Sequence, residues 1–243
     1  MTFSSLFSGI GGLDLGLERA GMECRWQVEI DPFCQKVLAK HWPGVKRYGD
    51  IRTVDDPEWV DLIAGGFPCQ DVSEVGGRSG ITGKQSGLWS EMLRIVCLLR
   101  PRFVLVENVP GLLNRGIGTV LSELACSGYD AEWSTISACS MGASHTRERL
   151  FIVAYPNAER SQAGGSIGNG YGSEVATRRA GSQYLHPPKI PSGCEVKSAF
   201  ASEPAMDRVA DGIPDRIQRL KGLGNAVVPQ VAEWIGRRIT EAA

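Results

Sequence analysis

Residues 3 to 17 read FSSLFSGIGGLDLGL, and three kinds of local structure follow one another in them. Phe3 to Phe7 has the pattern of a short buried strand, Phe7-Ser8-Gly9-Ile10-Gly11-Gly12 is a glycine-rich turn, and Leu13, Leu15 and Leu17 open a helix. Such a strand-to-helix turn lets a ligand approach the backbone closely and leaves the first helical N–H groups free to meet it. The spacing is neither the G-x-G-x-x-G of dinucleotide sites nor that of a P-loop, so neither is supported. Taken alone, the turn fits packing as well as binding.

Outward from it, residues 24–29 (CRWQVE), 60–64 (VDLIA), 102–107 (RFVLVE) and 149–155 (RLFIVAY) are further short runs bounded by Gly, Asp or Pro. Several are apolar throughout, as strands buried on both faces are. Leu88, Met92, Ile95, Val96 and Leu99 fall on one face of a helix that Pro101 ends. Strands alternating with helices of this length predict an α/β fold, a mostly parallel sheet with helices on both faces. Residues 156–207 break the pattern: they are rich in Gly and Ser, carry Pro187, Pro188 and Pro191, and show no sustained period. Val227, Val228, Val231, Ala232, Ile235 and Ile239 then form a helical stripe, with Pro229 in the first turn, expected to pack back on the sheet. The chain divides accordingly into residues 1–155, 156–207 and 208–243.

With 243 residues the chain can bury a full core. Its 26 Lys and Arg against 27 Asp and Glu exclude a polycation, so nucleic-acid contact has to come from a local basic patch. Seven widely spaced cysteines without a C-x-x-C pair suit a reduced cytosolic protein and offer no metal spacing. No segment reads as a membrane span or a secretory leader, which predicts a soluble, cytoplasmic protein.

The groups that carry chemistry cluster at the ends of the apolar runs. Glu29 and Asp31 end the second strand, where an acid commonly takes ribose hydroxyls; Glu29 is the better placed, Asp31 reads as an ordinary solvated acid, and Asp50 follows a later turn. Gly65-Gly66-Phe67-Pro68-Cys69-Gln70 follows the third strand, which places Cys69 at a pocket, whereas Cys97 and Cys126 read as buried small hydrophobes. Glu107-Asn108-Val109 lies at the carboxyl end of FVLV, on the same edge as Cys69. Arg147-Glu148-Arg149 precedes the last run.

Together FSGIGG, GGFPCQ, ENV, TRERLFIVA and GNAVVPQVAEWI, in this order, resemble five signature blocks of the DNA (cytosine-5) methyltransferase family. The resemblance spans residues 3–155 and 208–240. It implies a Rossmann-like S-adenosylmethionine-dependent methyltransferase sheet, with residues 156–207 a target-recognition region shorter than is typical. Cys69 would attack C6 of a cytosine flipped out of duplex DNA, making C5 nucleophilic toward the donor methyl. Glu107 would hold N3 and the exocyclic amine; Arg149, with Arg147, would contact the cytosine carbonyl or the loop around it. For S-adenosylmethionine the resemblance implies Phe7 against adenine, Glu29 on ribose, Asp50 near the adenine amine and Leu88 as an apolar wall, with Gly9, Gly11, Gly12, Ile30, Ile51, Pro68, Asn225 and Val227 completing the site. Ile30 stands where many relatives carry an aromatic residue.

Residues 76–87 would form a lid over the base. Gln70, Ser73, Arg78, Arg178, Arg179 and Arg208 would contact DNA, and Arg216, Arg219 and Lys221 extend a basic strip. The implied setting is a monomer acting on double-stranded DNA, associated with the nucleoid of a bacterial or phage-infected cell, with a cognate restriction endonuclease as partner. Two other readings keep the catalytic blocks: a tRNA cytosine-5 methyltransferase, disfavoured because the Cys-Phe-Thr tripeptide of that branch is absent, and a non-catalytic DNA-binding remnant, disfavoured because Cys69, Glu107 and Arg149 are intact.

Overall fold

The computed structural model describes residues 1–68, 87–157, 184–185 and 215–243. Among these, seven strands form one sheet: β1 (Thr2–Leu6), β2 (Glu23–Val28), β3 (Lys46–Tyr48), β4 (Leu62–Gly65), β5 (Phe103–Asn108), β6 (Tyr129–Ser137) and β7 (Glu148–Pro156). Their order is β3-β2-β1-β4-β5-β7-β6. The first five lie parallel, while β7 runs antiparallel to both β5 and β6. The helices are α1 (Gly12–Arg19), α2 (Pro32–His41), α3 (Gly87–Leu99), α4 (Leu112–Arg115), α5 (Ile117–Cys126), α6 (Arg216–Asn225) and α7 (Pro229–Ala242).

Strand β4 and the Phe103–Val106 stretch of β5 are apolar because both of their faces are covered. In β5, Val104 and Val106 join a core with Trp89, Met92, Ile95 and Val96 of α3 and Val120 and Leu124 of α5. Phe103 and Leu105 point the other way, toward Leu13 and Leu17 of α1, Leu38 of α2 and Val231, Ile235 and Ile239 of α7. The C-terminal helix thus shares its core with the sheet and lies on α1. A side chain at Gly16 would overlap Ala232 and the Pro229 carbonyl, and one at Gly236 would crowd Ala20 and Leu17, so these two glycines set the helix separation.

Some expectations are corrected. Val227 and Val228 precede α7 rather than opening its stripe: Val228 is the N-cap and Pro229 occupies the first turn, where its missing N–H costs nothing. Cys97 and Cys126 are exposed, not buried, because each sits off the inward stripe of its helix. Within the unpatterned stretch 156–207, Tyr184 and Leu185 are buried. The Tyr184 ring meets Phe103 and Tyr155 at centroid distances of 5.9 and 5.5 Å, and its N–H donates to the Glu132 carboxylate at 3.2 Å. Among the described residues no helix is long and apolar enough to cross a membrane.

Candidate active site

A parallel sheet with this order reverses direction between β1 and β4, and ligands bind outside the carboxyl ends of the strands at such a point. A cleft of about 800 Å³ opens there. Phe7, Glu29, Gly66 and Glu107 reach it from the ends of β1, β2, β4 and β5. Because β7 is antiparallel, its beginning lies at the same edge and brings Arg149 into the cleft.

The glycine turn and Glu29 form one half. Phe7, Gly9 and Gly11 have φ of 58°, 57° and 84°. This left-handed backbone is unremarkable for glycine but strained for Phe7, a pattern that gathers at ligand sites. A side chain at Gly11 would enter the Trp42 ring, and one at Gly12 would overlap the Val227 carbonyl. Glu29 is only 8% exposed; one carboxylate oxygen accepts the Gly9 N–H and the other the Asp31 N–H, both at 2.7 Å. Each oxygen keeps a lone pair for a hydroxyl donor. Ile51, Leu88 and the exposed Ile30 supply apolar walls, with Pro68, Asn225 and Val227 at other parts of the lining. Asp50 reaches the cleft too, but Arg52 grips its carboxylate at 2.6 Å. Those bonds hold the Asp50 carboxyl below the ordinary range, and an incoming amine would have to share it.

Glu107 dominates the other half. It is 9% exposed, and its carboxyl comes 3.2 Å from Arg149 Nε. Burial pushes its pKa up to about 7, against the pull of the Arg149 and Arg147 guanidiniums. Near neutral pH this group carries a proton for a substantial share of the time and can donate it in a hydrogen bond. Gly66 makes room for it, since a side chain there would run into Glu107 Oε2. Arg147 lies beside the pair, but its Nη2 donates to the Gly224 and Ala226 carbonyls, each at 2.7 Å.

Cys69, Gln70, Ser73, Arg78, Arg178, Arg179 and Arg208 fall outside the described residues, as do residues 76–86 of the expected lid. The loop that leads to Cys69 is described as far as Pro68, which lines the cleft. Sequence reasoning gave no role to Asn108, whose Nδ2 donates to the Phe67 carbonyl at 3.2 Å and whose Oδ1 accepts the Val109 N–H at 2.8 Å. An amide directly after the acid at the end of the apolar run FVLV is the signal that the sequence offers. Asp31 is no idle acid: it caps α2 by accepting the Phe33 N–H at 2.8 Å and pairs with Lys221 at 3.5 Å.

Residues 1–186 match the family described as C-5 cytosine-specific DNA methylase. The chain belongs to that family. Type II methyltransferase M2.BsuMI of Bacillus subtilis (strain 168) is 31% identical over 99% of this methylase-family chain and 76% of its own length. Type II methyltransferase M.NgoPII of Neisseria gonorrhoeae is 38% identical over 64% of the chain and 48% of its own. The chain spans about a third to a half of the length of several other type II methyltransferases that it matches. Among solved structures, a prophage-encoded protein of E. coli described as a DNA modification methyltransferase superposes with a TM-score of 0.56 at 28% identity, over 66% of this chain and 48% of that one. The Rossmann-like α/β sheet of the C5 methylases is therefore the fold of this chain.

Proposed function

We propose that the chain transfers a methyl group from S-adenosylmethionine to C5 of a cytosine flipped out of duplex DNA, through a transient bond between Cys69 and C6. The observation that carries this reading is Glu107: a buried carboxyl that keeps its proton to about pH 7, beside Arg149, in the same cleft as the glycine turn and Glu29.

The donor half fits the proposed donor. Glu29 would take the two ribose hydroxyls, the open backbone at Gly9 would admit the amino-acid part, and Ile30, Ile51 and Leu88 would flank the adenine. Bound there, S-adenosylmethionine supplies a methyl group on a sulfonium, electrophilic enough for an enamine-like carbon to take. The chain's own residues have to make C5 such a carbon. Protonated Glu107 donates to cytosine N3 and draws electrons from the ring, and Arg149 offers positive charge to the carbonyl. The Cys69 thiolate then adds to C6, which places electron density on C5. After C5 is methylated, it loses its proton to a base, the C6–S bond breaks, and the electron pair returns to sulfur. A base inside a stacked duplex cannot be reached this way, so flipping is part of the proposal.

Duplex DNA synthesised with 5-fluorocytosine at every cytosine tests the chemistry without knowledge of the target sequence. Fluorine cannot leave C5 as a proton does, so the parent with S-adenosylmethionine should form a protein–DNA adduct that survives denaturation, and Cys69→Ala should form none. No adduct with the parent, or an equal one with Cys69→Ala, refutes the reading. Methyl transfer to tRNA but not to duplex DNA would favour the RNA-directed alternative.

A further inference from the structure

Arg147 lies two residues from Arg149, yet the fold uses its head group differently. Its guanidinium donates to the carbonyls of Gly224 and Ala226 at 2.7 Å each, bridging 77 and 79 residues of sequence. Gly224 lies in the last turn of α6, where helical carbonyls have no intrahelical partner and the helix dipole favours a cation. The chain entering Arg147 is pinned, because the Thr146 carbonyl accepts the Ala138 N–H and the Ser137 hydroxyl at 2.7 Å each. Arg147 itself has a φ of 28°, a costly conformation for a side-chain-bearing residue that surrounding contacts have to hold.

What the bridge holds is one wall of the cleft. Asn225, Ala226 and Val227 line it, and the Val227 carbonyl lies so close to Gly12 that a methyl group there would overlap it. Gly222, one turn earlier, allows the same close approach to Ile10 of the glycine turn. Residues 222–227 thus pass directly over the turn assigned above to the donor, and Arg147 ties them down from the side of the base.

We propose that Arg147 is a positioning residue, a latch whose two hydrogen bonds hold residues 224–227 against the glycine turn and so shape the donor site, while Arg149 serves the base. This rests on the donor-site reading given under Proposed function. It separates two arginines that the sequence presents as one motif.

Calorimetric binding of S-adenosylhomocysteine tests the latch without requiring methyl transfer. Arg147→Gln should weaken binding about tenfold, the scale of one lost charged hydrogen bond, and raise the donor KM more than it lowers kcat. Arg147→Lys keeps a cation that can reach one carbonyl and should fall between the two. Arg149→Gln should leave donor binding within about twofold while losing adduct formation with 5-fluorocytosine DNA. Melting curves without donor show which variants are folded; if Arg147→Gln is not, Arg147→Lys decides. Donor affinity within about twofold of the parent's in the folded Arg147 variants overturns the proposal. So does loss of adduct formation in those variants with donor affinity intact, which would place Arg147 at the base. A parent that binds no S-adenosylhomocysteine removes this proposal together with the donor-site reading beneath it.

Discussion

Glu107 shows how one residue's surroundings set its chemistry. Its carboxyl titrates at 4.5 when exposed and at about 7 in the fold, so between those values the folded chain holds a proton that the unfolded chain has lost. Stability from this group is fully present below pH 4.5 and is lost as pH rises through about 7, a cost of up to ~3 kcal/mol. Glu107→Gln removes the titration while keeping the shape. Its melting temperature minus the parent's should therefore grow from pH 5 to pH 8, and a difference that stays flat contradicts the assignment. The same substitution takes away the proton that the proposed mechanism offers to cytosine N3 and should lower the methylation rate by roughly 10² to 10⁴, with donor affinity little changed. In the parent, the limb of the pH–rate profile governed by Glu107 should fall as pH rises above about 7.

At the scale of elements, the two ends of the sheet explain what the sequence concealed. Strand β4 and the Phe103–Val106 stretch of β5 are legible as apolar runs because helices cover both of their faces, while β1 is legible from Phe3 and Leu6 around two buried serines. The unread strands, β3 and β6, are the two edges. The first is three residues long, Lys46-Arg47-Tyr48, and the second mixes Asp130, Glu132 and Ser134 among its apolar positions. The three residues of β3 are too few to carry a period, whereas β6 alternates Tyr129, Ala131 and Trp133 with Asp130, Glu132 and Ser134, a period-two signal that a reading for apolar runs passes over. The charges on both edges also discourage pairing with other chains. Sequence likewise does not place Cys97 and Cys126, which are exposed: residue type alone does not say on which side of a helical stripe a position falls. The packing of α1 on α7 yields a prediction whose sign is informative. In an open helix Gly→Ala gains about 1 kcal/mol from propensity. At Gly16 the added methyl would overlap Ala232 and the Pro229 carbonyl, so Gly16→Ala should instead destabilise by ~1–3 kcal/mol in urea titration.

For the molecule as a whole, the site is legible in sequence as far as it is built from local motifs. The glycine turn, Glu29 and Glu107 meet at one edge because parallel strands deliver their carboxyl ends together, and the antiparallel β7 adds Arg149. What local motifs do not reveal is long-range: the Arg147 bridge to α6, the Asp31–Lys221 pair spanning 190 residues, and Asn108 holding the loop that leads to Cys69. Nor does a net charge of −1 disclose where DNA lies. The central claim is that this cleft methylates carbon 5 of cytosine in DNA, and mass spectrometry of the nucleosides reads it most directly. Bacterial genomic DNA lacking modified cytosine, incubated with the chain and methyl-labelled S-adenosylmethionine and digested, should yield labelled 5-methyl-deoxycytidine with the parent and none with Cys69→Ala. Label in a different nucleoside, or equal labelling by both proteins, would contradict the account.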